Sequence, residues 1–195
     1  MFEAFRVHIK GRCPLIMHNG QLADPLNDYA KAIKRLTSKR KKTDDDYEAI
    51  SYCEWEGGLY VDESGKPCVP GENIERAFYD ASKTQKLGQK AKIAILSDGN
   101  WPVIYDGPKD VEALKKDKRF RDTRGVRNPG SGARIMRTRP IFRIWELRFD
   151  LSFDTEHFNK DQIVDILGVM GRTIGLLDYR PKFGRFQVVS VNPRK

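Results

Sequence analysis

The chain predicts an α+β fold, a ferredoxin-like split βαβ core with a basic thumb-like hairpin or loop inserted between its halves. Three observations carry this. Phe5, Val7 and Ile9 alternate with Arg6, His8 and Lys10, the period of a half-buried first strand. Phe142, Ile144, Leu147, Phe149, Leu151 and Phe153 form a second alternating run, with a bulge at Trp145-Glu146. Between Phe158 and Ile174, a stripe of Ile163, Ile166, Leu167, Met170 and Ile174 marks a helix, capped by Asn159, ahead of a terminal strand at Phe186, Val188, Val189 and Val191. Strand, helix, loop and strand make one half of a split βαβ sandwich. The strand near residue 5, the helices after it and a strand near residue 93 supply the other half.

The remaining elements follow in order. Gly11 breaks the first strand, and residues 13–17 resume an extended path into a turn at His18-Asn19-Gly20. Leu26 to Leu36 places Tyr29, Ala30, Ile33 and Leu36 on one helical face, with Asp24 or Asn27 at its start. Thr43 with Asp46 three residues on is a capped helix start, and this helix carries Tyr47, Ile50, Cys53 and Glu54 until Gly57-Gly58 stops it. Residues 59–61 and 67–69 read as a short hairpin. Pro70-Gly71 turns the chain into a helix with Ile74, Ala77, Phe78 and Ala81 at i, i+3, i+4 and i+7. Lys83 to Lys92 is a basic link into a buried strand at residues 93–96, residues 102–105 form another short strand, and residues 110–120 are weakly helical. At 195 residues the whole is expected to be a single domain with a basic insertion at 119–139.

Composition narrows the function classes. The apolar fraction of 39% supports a core, and 32% charged residues argue against a membrane span or a disordered chain. No membrane partner is expected, and the N-terminus lacks a signal-peptide layout, so a cytosolic location is expected. The net charge of +9 is concentrated. Lys31 to Lys42 carries seven bases and no acid, although Asp44-Asp45-Asp46 follows at once. Arg119 to Arg139 holds seven arginines, one acid (Asp122) and three glycines, and Arg172 to Arg185 is +3. Cationic glycine-bearing loops suit a polyanion backbone better than a small neutral substrate.

Arginine offers a planar fork to phosphate and stacks on bases. In the first loop, Arg121, Arg124 and Arg127 are expected to make sequence-independent phosphate contacts, while Arg134, Arg137 and Arg139 sit with Met136 in a hairpin arm. In the second, Arg180, Lys182 and Arg185 bracket Pro181, which limits loop entropy, and Gly184, which permits close approach of a phosphate. Tyr179 and Phe183 are candidates for stacking on bases, Phe183 being the better fit to the core.

Other chemistries find little support. Cys13, Cys53 and Cys68 lack CxxC spacing, and the three histidines are scattered, so no metal site is expected. No GxGxxG or GxxxxGK[ST] occurs, and no cofactor is expected. His18, beside Asp24 or Asp28, has the residue types for acid–base cleavage of RNA, but no second histidine at a useful spacing accompanies it.

Three segments resemble the RAMP superfamily of CRISPR effector proteins, its Cas7-like backbone subunits in particular. FRVHIKGRCPLIMHNG resembles their first strand and glycine turn. KPCVPGENIERAF, from Lys66 to Phe78, resembles the strand and Pro-Gly turn feeding their first helix, and Gly175 to Phe186 resembles a shortened C-terminal glycine loop. The layout is closer still to small proteins encoded in phages and prophages that share the Pro-Gly-Glu-Asn helix start and the Arg-Pro-Lys-Phe-Gly-Arg ending. The resemblance implies an RRM-like body that holds guide RNA and stacks side by side. It places Arg121 to Arg139 as a thumb, with Asn73, Arg76 and Lys83 along the RNA path. Only Gly175 and Gly184 stand where that family has a dense glycine string.

The expected function is noncatalytic binding of single-stranded RNA or DNA, RNA foremost, with possible partners in further copies of the chain or in CRISPR effector proteins. Two alternatives are a phage-encoded protein engaging a CRISPR effector in a bacterial host cell, and a ribonuclease dependent on His18.

Overall fold

A computed structural model describes residues 1–127, 130 and 132–194. In chain order it contains β1 (Phe2–Gly11), β2 (Leu15–Ile16), α1 (Asp28–Thr37), α2 (Asp44–Gly58), β3 (Cys68–Pro70), α3 (Gly71–Ser82), α4 (Gly88–Ala94) and β4 (Ile95–Leu96). There follow β5 (Asn100–Ile104), α5 (Val111–Lys116), β6 (Arg121–Arg127), β7 (Arg134–Phe142), β8 (Glu146–Asp154), α6 (Lys160–Val169) and β9 (Phe186–Pro193). The chain divides into two compact units. One comprises Met1–Leu15, Val61–Asp106 and the chain from Phe142 onward, the other Ile16–Tyr60 and Gly107–Ile141.

The first unit is the α+β core that the periodicities predict. Its sheet runs β3-β5-β8-β1-β9, with β4 also paired to β8, and every pairing is antiparallel. The terminal strand therefore lies beside the first, and β8 lies between the first strand and the β4/β5 pair, the ferredoxin-like order. Register follows from burial. Phe5, Val7 and Ile9 stand opposite Leu151, Phe149 and Leu147, all buried on one face. A one-residue slip would turn every one of them to water. α3 contributes Ile74, Ala77, Phe78 and Ala81 to this core, and α6 contributes Ile163, Ile166 and Leu167. Phe78 meets Phe158 edge-on at 6.2 Å, and Phe5 stacks on Phe153 at 5.3 Å. The alternate positions of β1 and β8 carry polar contacts instead, an ion pair of Arg6 with Asp150 and a hydrogen bond between His8 Nε2 and Glu146 at 2.8 Å.

Four sequence expectations are corrected here. Gly11 continues β1 rather than breaking it, and its missing Cβ makes room for the indole of Trp145. The run from Phe142 to Phe153 is two strands, not one. β7 ends at Phe142, Ile144 is 79% exposed, and the buried Trp145 donates its Nε1–H to the Cys13 carbonyl at 2.9 Å before β8 begins. The basic link before residue 93 contains the helix α4, which leaves Ile93 exposed and only two residues of strand. The hairpin over 59–69 shrinks to one bridge between Val61 and Pro67, because β3 pairs with β5.

The second unit is built by caps and by a hairpin. Asn27 caps α1 through its side chain, and Thr43 and Asp46 form a reciprocal capping box on α2. Of the residues read along α2, Tyr47 is exposed and Glu54 is buried, together with Asp46 and Trp55, and the Trp55 Nε1–H donates to the Phe120 carbonyl at 2.8 Å. The arginine-rich region forms an antiparallel hairpin in which Arg121 faces Pro140, Arg124 faces Arg137 and Arg127 faces Arg134. Of the turn read at Asn128-Pro129-Gly130, Asn128 and Pro129 lie outside the described residues.

Asp46 gives this unit a pH-sensitive element. Its carboxyl lies below the usual carboxylate range, held there first by the hydrogen bond from Lys39 Nζ and then by the Thr43 backbone N–H. Because the folded pKa is lowered, the stabilisation is complete above the unfolded value of about 3.9 and is lost as pH falls through the folded value. Thr43→Ala removes the cap and is expected to cost about 1–2 kcal/mol in urea unfolding at neutral pH. An unchanged midpoint would show that tertiary packing alone holds this helix start.

Candidate nucleic-acid interface

The hairpin sorts its arginines by strand alternation. Arg121, Arg127 and Arg134 fall on one face with Thr123, Gly125 and Met136, while Arg124, Arg137 and Arg139 fall on the other with Val126 and Ile135. The two sets are used differently. On the second face, Arg124 is held by both carboxylate oxygens of Asp122, and Arg137 Nη1 donates to the buried Glu54. The other Glu54 oxygen accepts the Thr138 backbone N–H at 2.8 Å. Arg139 is half-buried in the same unit.

Arg121, on the first face, is also engaged. Its Nη2 donates to Ser51 Oγ at 2.7 Å and its guanidinium lies 4.6 Å from the centre of the Tyr52 ring. Ser51 Oγ in turn donates a hydrogen bond to Thr138 Oγ1 at 2.9 Å, so Arg121 clamps the hairpin base to α2. Arg127 and Arg134 remain. They face each other across the ladder, both exposed, and among the described residues neither has a carboxylate partner. Met136, 62% exposed, stands opposite Gly125 one step along the same face. Two adjacent cations beside an uncovered apolar side chain form a surface on which a phosphate and a base face could be held together.

In the first unit, the fold brings together Arg76, Lys83 and Arg180. All three reach Asp80, Arg76 Nε at 3.2 Å, Lys83 Nζ at 3.0 Å and Arg180 Nη2 at 3.5 Å. Burial pushes the Asp80 carboxyl upward, but the hydrogen bonds from Lys83 and Arg76 outweigh it and hold the group below the usual carboxylate range. Lys83 Nζ also sits 4.2 Å from the centre of the Tyr79 ring, and Arg76 at 5.5 Å. Tyr79 and Asp80 escaped the sequence reading. Their signal was present as the spacing Arg76-Tyr79-Asp80-Lys83, whose i+3 and i+4 separations put all four on one helical surface. One carboxylate facing three bases leaves net positive charge here.

The C-terminal loop is more constrained than its glycines suggested. Leu176 N–H donates to the Gly184 carbonyl at 3.0 Å, Gly184 N–H to Pro14 at 2.8 Å and Phe183 N–H to Tyr179 at 3.1 Å. A Cβ on Gly184 would collide with the Leu176 backbone, and its φ is +72°. The glycine therefore serves the loop's own crossing rather than the approach of a phosphate. Tyr179 and Phe183 meet edge-on at 6.1 Å and are half-buried, so each already packs against an aromatic neighbour. Lys182 and Arg185 are exposed on either side of the Phe183-Gly184 crossing.

His18 is exposed, and its backbone carbonyl accepts the Tyr60 hydroxyl at 3.3 Å. Asp24 accepts the Leu26 backbone N–H, and Asp28 lies 3.8 Å from Lys31. Among the described residues no cluster of three or more histidine, cysteine or acidic side chains could hold a metal ion, and no helix is long and apolar enough to cross a membrane.

No family model matches the chain, and no curated protein matches its sequence. Forty-nine chains of solved structures do match its fold. One belongs to the cryo-EM structure of the Type III-B Cmr-beta bound to cognate target RNA. It superimposes with a TM-score of 0.55 at 11% identity, over 100% of this chain and 61% of the other, so the chain spans about three fifths of that neighbour's length. The fold is thus shared with a chain of that RNA-bound Cmr-beta structure.

Proposed function

We propose that this protein binds the backbone of single-stranded nucleic acid, RNA foremost, without cleaving it, and that it does so in a CRISPR-related assembly. The observation that carries this reading is the exposed Arg127–Arg134 pair, set beside Met136 at the far end of the hairpin ladder. Two exposed guanidinium groups whose charge no carboxylate among the described residues absorbs favour a polyanion, and an adjacent apolar side chain gives a base something to lie on. The RNA-bound complex that contains the fold neighbour supports RNA over other polyanions. Arg76, Lys83, Arg180, Lys182 and Arg185 provide a second basic surface, on the first unit. A repeated subunit suits an extended ligand, so side-by-side self-association belongs to the same proposal.

The test is a titration of labelled single-stranded RNA, single-stranded DNA and duplex of matched length at two salt concentrations, with complex size and strand integrity read on the same samples. Single strands should bind best, in larger assemblies and uncut, with affinity falling steeply as salt rises. An absence of binding at low salt would overturn the reading and point to an acidic protein as the partner. Cleavage abolished by His18→Ala with binding retained would replace it with the ribonuclease.

A further inference from the structure

A groove of about 290 Å³ lies on the first unit between α3 and the α4–β4 segment. Ala91 and Ile95, both buried, and the half-buried Tyr79 give it an apolar and aromatic lining. Two carboxylates, Glu72 and Glu75, and two bases, Arg76 and Lys92, complete it. Arg76 is taken up by Asp80 at 3.2 Å. Glu75 is fixed in place, its Oε1 accepting the Ser97 backbone N–H at 2.8 Å. Glu72 and Lys92 are exposed, and among the described residues Glu72 holds no ion pair.

The groove adjoins the basic surface of this unit. Arg76 and Tyr79 belong both to its lining and to the cluster in which Arg76, Lys83 and Arg180 surround Asp80. That neighbourhood selects the chemistry of an occupant. An anion in the groove would meet two carboxylates. A cation would have to approach past three bases that share one acid. A wholly apolar body would strip water from Glu72 and Glu75 with no donor in return. What fits is a flat neutral body whose edge donates hydrogen bonds, joined to an anion that stays outside on the cluster. The volume is just below the roughly 300 Å³ at which sites for drug-sized ligands begin, which suits a single base.

We infer that the groove holds one guanine base of the bound strand, lying against Tyr79 and Ile95, with its N1–H and 2-amino donors on Glu72 and its O6 accepting from Lys92. The inference rests on the backbone-binding reading, because the phosphates flanking that base need the Arg76, Lys83 and Arg180 surface. Guanine presents two adjacent donors, which a carboxylate can accept together. Cytosine and adenine offer one amino group each, and uracil sets a single N–H between two carbonyl oxygens that Glu72 and Glu75 repel. Base edges carry sequence where phosphates do not, so this groove adds a base preference to binding otherwise set by the backbone.

The test is a fluorescence titration of the full chain with three labelled RNA strands of matched length at low salt. One is all uridine, one carries a single central guanosine, and one carries inosine there, which stacks like guanosine but lacks the 2-amino group. The guanosine strand should bind about tenfold more tightly than the uridine strand, with inosine between them. Glu72→Ala should abolish the differences among the three while leaving affinity for the uridine strand within about twofold of the parent chain. Should Glu72→Ala disturb the start of α3, Glu72→Gln keeps the side-chain length, removes the charge and should still reduce the guanosine preference to about threefold or less. R127E with R134E should weaken all three strands alike and keep the preference, which separates the groove from the hairpin. Equal binding of the three strands by the parent chain, or a guanosine preference that survives Glu72→Ala, would overturn the groove and leave the backbone reading standing. Failure of every strand to bind would overturn the backbone reading and the groove with it.

Discussion

Reversing the charge at Arg127 and Arg134 together, R127E and R134E, is expected to weaken single-stranded RNA binding by about 100-fold at low salt, or ~2.7 kcal/mol. Both side chains are exposed and neither holds a carboxylate among the described residues, so reversing their charge breaks no ion pair there. Stability should stay within about 0.5 kcal/mol of the parent chain. The plot of log affinity against log salt should also become shallower by about 1.4, the share of two single-strand phosphate contacts. Lysine at both positions should keep most of the slope while losing the fork geometry. An unchanged affinity in the glutamate variant would place the nucleic acid elsewhere and remove the hairpin's end from the interface.

Gly71→Ala is expected to destabilise the first unit by about 4 kcal/mol or more, a size that belongs to steric conflict in a packed interior. A Cβ at this position would overlap the Ser97 carbonyl oxygen. That segment has little freedom to retreat. Ser97 is buried, its N–H donates to Glu75 at 2.8 Å, its hydroxyl donates to the Asp150 carbonyl at 2.8 Å, and it accepts the Trp101 Nε1–H at 3.1 Å. Relief would break several bonds worth about 1 kcal/mol each. In a chain of this size the loss corresponds to a fall in Tm of roughly 8–16 °C. A melting temperature within about 2 °C of the parent chain would show that the Ser97 segment shifts freely.

The candidate site was legible as composition and illegible as geometry. The arginine loop announced itself by charge density, but seven arginines in a row of residues look alike until a partner is assigned. Arg121 and Arg137 proved to be spent on Ser51 and Glu54, residues 70 and 83 positions away. No local pattern could have said so. Arg76 and Lys83 entered through a family resemblance, and their meeting with Arg180 at Asp80 spans 100 positions. Tyr79 and Asp80 could have been found from the sequence, because helix spacing already placed both between two cations.

What the sequence determined was local and periodic. The alternation in β1, the stripes of α3 and α6, the Asn27 cap and the Thr43–Asp46 box all follow from interactions that close within a few residues, so their signals survive without knowledge of the fold. The order of the sheet could be anticipated only because few topologies join two βαβ halves. Tertiary structure decided everything whose cause lay far along the chain. Gly11 gives way to an indole from residue 145, Gly184 to the backbone of Leu176, and Gly71 to a carbonyl from residue 97. A glycine in sequence reads as freedom for the backbone, and here each marks a place where another part of the chain needed the room of a side chain.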